Sequence, residues 1–155
     1  MTPAEIAGQA RNDGLVVGAN HPVAYEHNPY NHYEISNIAL PGYECKHNLK
    51  YWNCEEYIGF GAGAHSFYEN KRFYNDKNYN RQYDADPSPS EFIFLGLRKM
   101  AGISKQEYEQ RYGKKISQDM IDKNVSLGTL EENGDIIRLT KRGIEISNQV
   151  FIDFM

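Results

Sequence analysis

Residues 55–67 read EEYIGFGAGAHSF, and this stretch decides the fold that the sequence predicts. The letters YIGF at residues 57–60 predict a short buried strand, which runs directly into a corner built of glycine and alanine. Buried strands that finish in a glycine-rich loop are the normal site-forming element of parallel α/β folds. The stretch therefore predicts α/β architecture, with a candidate ligand loop at the end of the strand.

The corner consists of Gly61, Ala62, Gly63, Ala64 and His65. Its small side chains would let a ligand approach the backbone closely. The pattern lacks the spacing of a dinucleotide fingerprint and the Lys-Ser or Lys-Thr pair of a phosphate loop. Two interpretations stay open from the residues alone: a tight turn packed against a neighbouring element, and a ligand loop. The histidine either lines a pocket or is a half-buried structural residue bonded to a backbone carbonyl.

The residues upstream, HYEISNIA at 32–39, alternate as in a strand, with Tyr33 and Ile35 on one face. Glu34 and Asn37 place polar groups near the end of this strand, where the sites of barrel folds collect. The alternative for these two residues is a pair of hydrogen bonds that hold the following loop.

The chain has two cysteines, and they raise the question of a metal site. Cys45, His47, Cys54 and His65 follow the spacing C-x-H-x6-C-x10-H, whereas compact zinc sites favour ligand pairs two to four residues apart. The spacing favours free thiols and no metal site. Residues 1–18 have neither the basic start nor the apolar stretch of a signal peptide, so we expect a reducing, cytoplasmic setting.

The second half of the chain carries regular helix signals. Residues 71–87 are polar and rich in asparagine, which predicts a connector. Ser88 with Glu91 and Ser104 with Glu107 have the spacing of capping boxes, and the second of these helices should stop at Gly113. The order continues with a third helix capped by Ser117 and ending at EENG, a strand at DIIRLT (135–140), and an amphipathic helix through residues 144–154. Residues 88–155 are therefore expected to form a winged-helix-like module.

Composition and charge exclude two function classes. The formal net charge of −4 argues against a general nucleic-acid binder, because such a protein needs a basic face to displace counterions. No run approaches the roughly 20 apolar residues that a membrane-spanning helix needs. The 155 residues are enough for one ordinary domain and a part of another. Residues 1–31, apart from a short helix at 3–11, are broken by Gly, Asn and Pro and are expected to be poorly ordered.

The stretch at residues 33–67 reads YEISNIALPGYECKHNLKYWNCEEYIGFGAGAHSF. It resembles the HemW family of radical SAM proteins, which are relatives of the oxygen-independent coproporphyrinogen III oxidase HemN. The matching family pattern is YEISNFA-x-PGYE-x-x-HN-x-x-YW, then an acidic spacer, then Y-x-G-x-GAGAHS. Downstream, an LR helix leading to GIS and the letters LEENG-x-I-x-LT-x-x-G are similar to the family's C-terminal domain. The resemblance covers residues 32–155, roughly four fifths of the chain.

The resemblance implies a protein of porphyrin and haem metabolism, with a haem chaperone role or a coproporphyrinogen oxidase-like one. The family core is a partial α/β barrel that holds a four-iron four-sulfur cluster and S-adenosylmethionine. Gly61, Ala62, Gly63, Ala64 and His65 correspond to a corner beside the bound S-adenosylmethionine. The family's cluster motif is CxxxCxxC, and this sequence contains no such motif.

The sequence therefore predicts an α+β fragment: the last strands of a radical SAM barrel at residues 32–87, then the helical domain at 88–155, after an unmatched segment at 1–31. We expect it to be inactive alone in cleaving S-adenosylmethionine and to bind haem or the missing N-terminal half of the barrel. Exposed barrel edges also predict self-association. The alternative is a winged-helix-like protein-interaction module without a ligand.

Overall fold

A computed structural model describes residues 29–84 and 87–155. The expectations for residues 1–28, including the short helix at 3–11, lie outside the described residues. Within the described ranges, no helix is long and apolar enough to cross a membrane. Every strand pairing in these ranges is antiparallel, so the predicted parallel arrangement is wrong for this part of the chain. The mixed α and β composition is confirmed.

The predicted strand at 32–39 is in fact a hairpin. Strand β1 spans Asn31–Glu34 and pairs with β2 at Asn37–Ala39. The chain reverses because the Asn37 side-chain amide donates a hydrogen bond to the Glu34 carboxylate across the turn. Helix α1, Lys46–Trp52, follows the hairpin.

A three-stranded meander occupies the region expected to be a connector. It consists of β3 (His65–Tyr68), β4 (Lys71–Asn75) and β5 (Arg81–Tyr83), in the order β3-β4-β5. The two-residue turn between β3 and β4 is made by Glu69 and Asn70, both with positive φ. Such left-handed pairs match the twist of the flanking strands, which is why they recur in tight hairpins. The polar sequence did not predict the meander, because Phe73 is the one buried residue of β4 and a single apolar residue does not produce an alternating pattern.

The expected buried strand at 57–60 is also wrong. Tyr57 alone makes an isolated bridge, exchanging backbone hydrogen bonds of 2.8 and 2.9 Å with Phe67. Ile58 is 52% exposed and Phe60 is 90% exposed. Tyr57 and Gly59 are only partly buried, so the apolar composition of this segment was misleading about burial.

The second half follows the predicted order more closely. Its elements are α2 (Pro89–Gly96), β6 (Ile103–Ser104), α3 (Lys105–Tyr112), α4 (Gln118–Ser126), β7 (Leu130–Asn133) and β8 (Ile136–Leu139), with sheet order β6-β8-β7. The Ser88–Glu91 capping box is confirmed, as is the left-handed stop at Gly113. The expected end of the third helix at EENG is wrong, because residues 130–133 form a strand that pairs with β8. Gly134, with a φ of +59°, makes the turn between these two strands.

The last predicted helix is two shorter helices. Helix α5 spans Lys141–Glu145 and α6 spans Ser147–Ile152, and they are separated at Ile146, whose φ of −121° is not helical. Both helices close over a single hydrophobic core formed by the second half. Its buried members are Phe92, Ile93, Leu97, Ile103, Tyr108, Ile116, Ile121, Leu130, Ile137, Leu139, Val150, Phe151 and Phe154.

The first half packs on this core through β1. The backbone N–H of Ile35 donates to the Arg98 carbonyl at 2.9 Å, and that of Met100 donates to the Tyr33 carbonyl at 3.1 Å. A partly buried ion pair between Arg72 on β4 and Glu91 on α2, 2.8 Å apart, adds a second connection. These contacts fix the hairpin, α1 and the meander against α2.

Candidate functional site

The glycine-rich loop folds back on strand β3. Gly61 and Gly63 have φ of +103° and +76°, which L side chains rarely adopt, and a Cβ at either position would meet open space. Gly59 serves a different purpose, because a Cβ there would lie 2.3 Å from the His65 carbonyl oxygen. The first two glycines therefore shape an open loop, and Gly59 permits a close approach of two backbone segments.

Hydrogen bonds hold the loop to strand β4. The Gly63 N–H donates to the Asn75 carbonyl at 2.7 Å, and the Asn75 side-chain amide donates to the Gly61 carbonyl at 3.2 Å. Buried Ser66 accepts a hydrogen bond from the Gly59 N–H at 3.0 Å. Part of the loop backbone is thus engaged inside the protein, while residues 60–63 remain exposed.

His65, the first residue of β3, is exposed beside this loop. Its Nδ1 lies 3.5 Å from the Asp84 carboxylate, and its ring packs against Tyr74 with centroids 5.3 Å apart. The side chain of His65 is 59% exposed. The half-buried alternative is therefore wrong. Sequence reasoning missed Asp84, which is 19 positions away along the chain and reaches His65 only through the unforeseen meander.

A second histidine belongs to an aromatic ladder. His47 is exposed on α1 and meets Tyr51 edge-on at 4.9 Å, and Tyr51 meets Tyr57 at 4.6 Å. The ladder runs from the exposed surface of α1 to the bridge that precedes the glycine-rich loop.

A cleft of about 360 Å³ separates α1 and the meander from α2. Its lining consists mainly of rings and aliphatic side chains, namely Tyr51, Trp52, Tyr57, Phe67, Pro87 and Leu95. Cys54 also lines the cleft. Burial raises the pKa of the Cys54 thiol. The thiol is thus held in its neutral form, which is a poor nucleophile and a poor metal ligand.

The polar pair Glu34 and Asn37 has a structural role. Their mutual hydrogen bond closes the hairpin turn, as the second of the two interpretations expects. The Glu34 carboxylate is fully buried, with the Arg98 guanidinium 3.9 Å away. That guanidinium also stacks on Trp52 at 4.4 Å. Sequence spacing gave no sign that Trp52 and Arg98 join this pair, because they lie on α1 and on the segment after α2, far along the chain from the hairpin.

The four residues considered for zinc do not form one site. Cys45 is exposed and free, and Cys54 is half-buried and free. Over residues 29–84 and 87–155 there is no group of three or more His, Cys, Asp or Glu side chains placed to hold a metal ion.

Comparison with known proteins identifies relatives along most of the chain. Residues 84–146 match the family model of the HemN C-terminal domain. The haem chaperone HemW of Lactococcus lactis subsp. lactis is 34% identical over 145 residues, covering 83% of this chain and 38% of that protein. The haem chaperone HemW of Bacillus subtilis is 34% identical over 146 residues, covering 79% and 38%. The corresponding Escherichia coli protein is 29% identical over 132 residues.

A solved structure shares the fold. The coproporphyrinogen III oxidase HemN from Escherichia coli, described as a radical SAM enzyme, superposes with a TM-score of 0.58 at 12% sequence identity. The match covers 81% of this chain and 37% of that one. At this identity the likeness concerns the fold. The chain spans less than two fifths of the length of these relatives.

Proposed function

The chain belongs to the family of HemW and HemN, and we propose that it acts as the haem-handling C-terminal part of a haem chaperone of this family. The role of its relatives as haem chaperones supports this choice over the coproporphyrinogen oxidase-like role. The single structural observation that carries the proposal is His65, an exposed imidazole whose Nδ1 faces a carboxylate.

The residues present do not fit a four-iron four-sulfur cluster. A cluster with one open iron needs three closely placed thiolates, and the chain has two cysteines in all. One of the two, Cys54, is held neutral by burial. We therefore derive no step that uses the cluster, and the proposal assigns no cleavage of S-adenosylmethionine to this chain. Residues 61–65 are proposed as the corner beside S-adenosylmethionine only where the rest of the barrel is present.

Haem fits the available side chains better. A neutral imidazole is a common axial ligand of haem iron, and haem supplies the metal centre that such a ligand binds. His65 can offer Nε2 to iron, because Nδ1 faces Asp84. His47 is the second candidate, at the exposed end of the aromatic ladder. Exposed rings such as Phe60, 90% exposed, offer apolar surface for the porphyrin plane.

The domain division is part of the same proposal. We place the barrel remnant at 32–87 and a winged-helix-like domain at 88–155, following the unmatched segment at 1–31. The second range has the order helix, strand, helix, helix and hairpin, with a three-stranded antiparallel sheet, which supports the winged-helix comparison. The core of 13 buried side chains lies within it. Hydrogen exchange should therefore protect residues 88–155 more strongly than residues 29–84.

The proposed partner besides haem is the N-terminal half of the family's barrel. Large apolar side chains on the first half are exposed: Ile38 at 60%, Tyr43 at 80%, Ile58 at 52% and Phe60 at 90%. A partner that covers them would gain roughly 25 cal/mol for each Å² of apolar surface buried. Without it, the same surface would favour self-association. The two free thiols support a cytoplasmic location for the assembly.

Ferric haem titration of the 155-residue chain tests the haem proposal. The wild-type chain should shift the Soret band and saturate at one haem per chain, and His65→Ala or His47→Ala should abolish the shift. His32→Ala is the matched control, because His32 is also exposed but belongs to the β1-β2 hairpin and not to the sheet that carries His65. A flat wild-type titration with a stable dimer would contradict the proposal and favour a protein-interaction module without a ligand.

A further inference from the structure

Asp84 and His65 are brought together by the meander. His65 begins β3, and Asp84 directly follows β5, on the other side of the central strand β4. The Asp84 backbone N–H donates to the Arg72 carbonyl at 2.9 Å, which extends the pairing of β4 with β5 by one step. Asp84 therefore has a fixed backbone position, even though its side chain is 35% exposed.

The carboxylate faces one specific nitrogen of the ring. Asp84 Oδ2 lies 3.5 Å from His65 Nδ1, and Tyr74 packs on the ring of His65 at 5.3 Å. These two contacts restrain the ring from its edge and from its face. Because the carboxylate can only accept, it favours the tautomer that carries its proton on Nδ1. In that tautomer Nε2 has the free lone pair.

This arrangement is the one that metal-binding histidines use. A histidine that binds a metal almost always directs its other ring N–H at a carboxylate, a backbone carbonyl or water, which fixes the tautomer and raises the basicity of the ligating nitrogen. His32 differs in the nitrogen that is engaged, since its Nε2 contacts the Ile35 carbonyl and Nδ1 is the nitrogen left for a ligand. His47 is restrained by the Tyr51 ring and not by a carboxylate in the contacts described for it.

We propose that Asp84 is a positioning residue that holds His65 with Nε2 ready to bind the iron of haem. The inference rests on the proposed haem function and adds to it a residue, a tautomer and a direction of binding. Iron bound at Nε2 would draw electron density from the ring, which would make the Nδ1–H a stronger donor to the Asp84 carboxylate, 3.5 Å away in this structure. No bond to the protein is made or broken other than the Nε2–iron bond.

Two readouts test the role of Asp84 in the whole 155-residue chain. Asp84→Asn should weaken ferric haem binding about tenfold, the lower end of the range for a residue that orients a metal ligand. In the ferrous complex it should lower the iron–histidine stretching frequency measured by resonance Raman spectroscopy, because a neutral amide withdraws less of the Nδ1 proton than a carboxylate. Asp84→Glu should restore most of the affinity and the frequency.

Controls separate this inference from the haem proposal itself. Asp119→Asn, at an exposed position on α4, should leave both readouts at the wild-type values. Circular dichroism of each variant checks that the fold is retained. If His65→Ala loses the haem spectrum but Asp84→Asn matches the wild type in affinity and frequency, the role of Asp84 is refuted and the haem proposal stands. If the wild-type chain binds no haem, both are overturned. If His65→Ala leaves the spectrum unchanged, the role of Asp84 is refuted, and His47 is then the candidate ligand of the haem proposal.

Discussion

Replacing Arg98 by methionine should destabilise the protein by about 3 kcal/mol, because it removes the cation nearest to a buried carboxylate. Glu34 is fully buried, one of its oxygens accepts from Asn37, and the other lies 3.9 Å from the Arg98 guanidinium. Breaking a buried pair from one side costs roughly 3–5 kcal/mol. The lower end applies here because the Arg98 side chain is 25% exposed. Methionine keeps much of the aliphatic packing on Trp52, so the loss reports chiefly on the charge.

Urea unfolding followed by fluorescence of Trp52, the single tryptophan of the chain, measures the effect. Glu34→Gln in the Arg98→Met background should recover a large part of the loss, because the uncompensated charge is then removed. The two substitutions are therefore expected to be non-additive by about 1–3 kcal/mol, as for other residues in direct contact. Additive effects, or an Arg98→Met midpoint equal to that of the wild type, would refute the assignment of Arg98 as the charge partner of the buried Glu34 carboxylate.

Three further predictions concern the second half of the chain. Ile121→Ala, at a fully buried position, should lower the free energy of unfolding in urea by about 3 kcal/mol. Met120→Ala, at a position that is 41% exposed, should change it by less than about 0.5 kcal/mol. Equal losses would contradict the placement of α4. Ser88→Ala should cost about 1 kcal/mol by removing the α2 cap, and an unchanged midpoint would refute that cap. The Ser104 hydroxyl lowers the pKa of Asp135, so its stabilisation is present above the unfolded-state pKa and is lost as the pH falls through the lower folded-state pKa. Asp135→Asn should flatten this acid limb in pH-dependent unfolding, and an unaltered limb would contradict the contact.

The sequence was informative where local chemistry decides the structure. The serine caps of α2 and α3 and the left-handed Gly113 are set by neighbours three to nine positions away, and each is confirmed. The strand predicted at DIIRLT is confirmed as β8, in which exposed and buried residues alternate and Ile137 and Leu139 are the buried ones. The order of the first three helices of the second half and of β8 could therefore be predicted, whereas β6, β7 and the division of the last helix could not.

The first half could not be predicted in the same way, because burial there depends on distant partners. The apolar letters at 57–60 predict a buried strand, but Ile58 and Phe60 are exposed in the described part of the chain. The polar letters at 71–83 hide two strands, whose best signal was the Glu69-Asn70 pair between alternating residues.

The candidate site was predictable only in part. His65 was identified from its place after the glycine-rich loop, whereas its partner Asp84 depends on the meander. The glycine-rich motif predicts the loop before His65, but it gives no information about β5, the strand that brings Asp84 beside His65.

The central claim is that this chain belongs to the family of HemW and HemN and yet contains too few cysteines to hold a four-iron four-sulfur cluster with one open iron. Anaerobic reconstitution of the chain with iron and sulfide, followed by reduction with S-adenosylmethionine present and quantification of 5′-deoxyadenosine, tests it most directly. The account predicts substoichiometric iron and no product above the protein-free background, since two cysteines cannot supply three thiolate ligands. Product formed in proportion to the chain would contradict it.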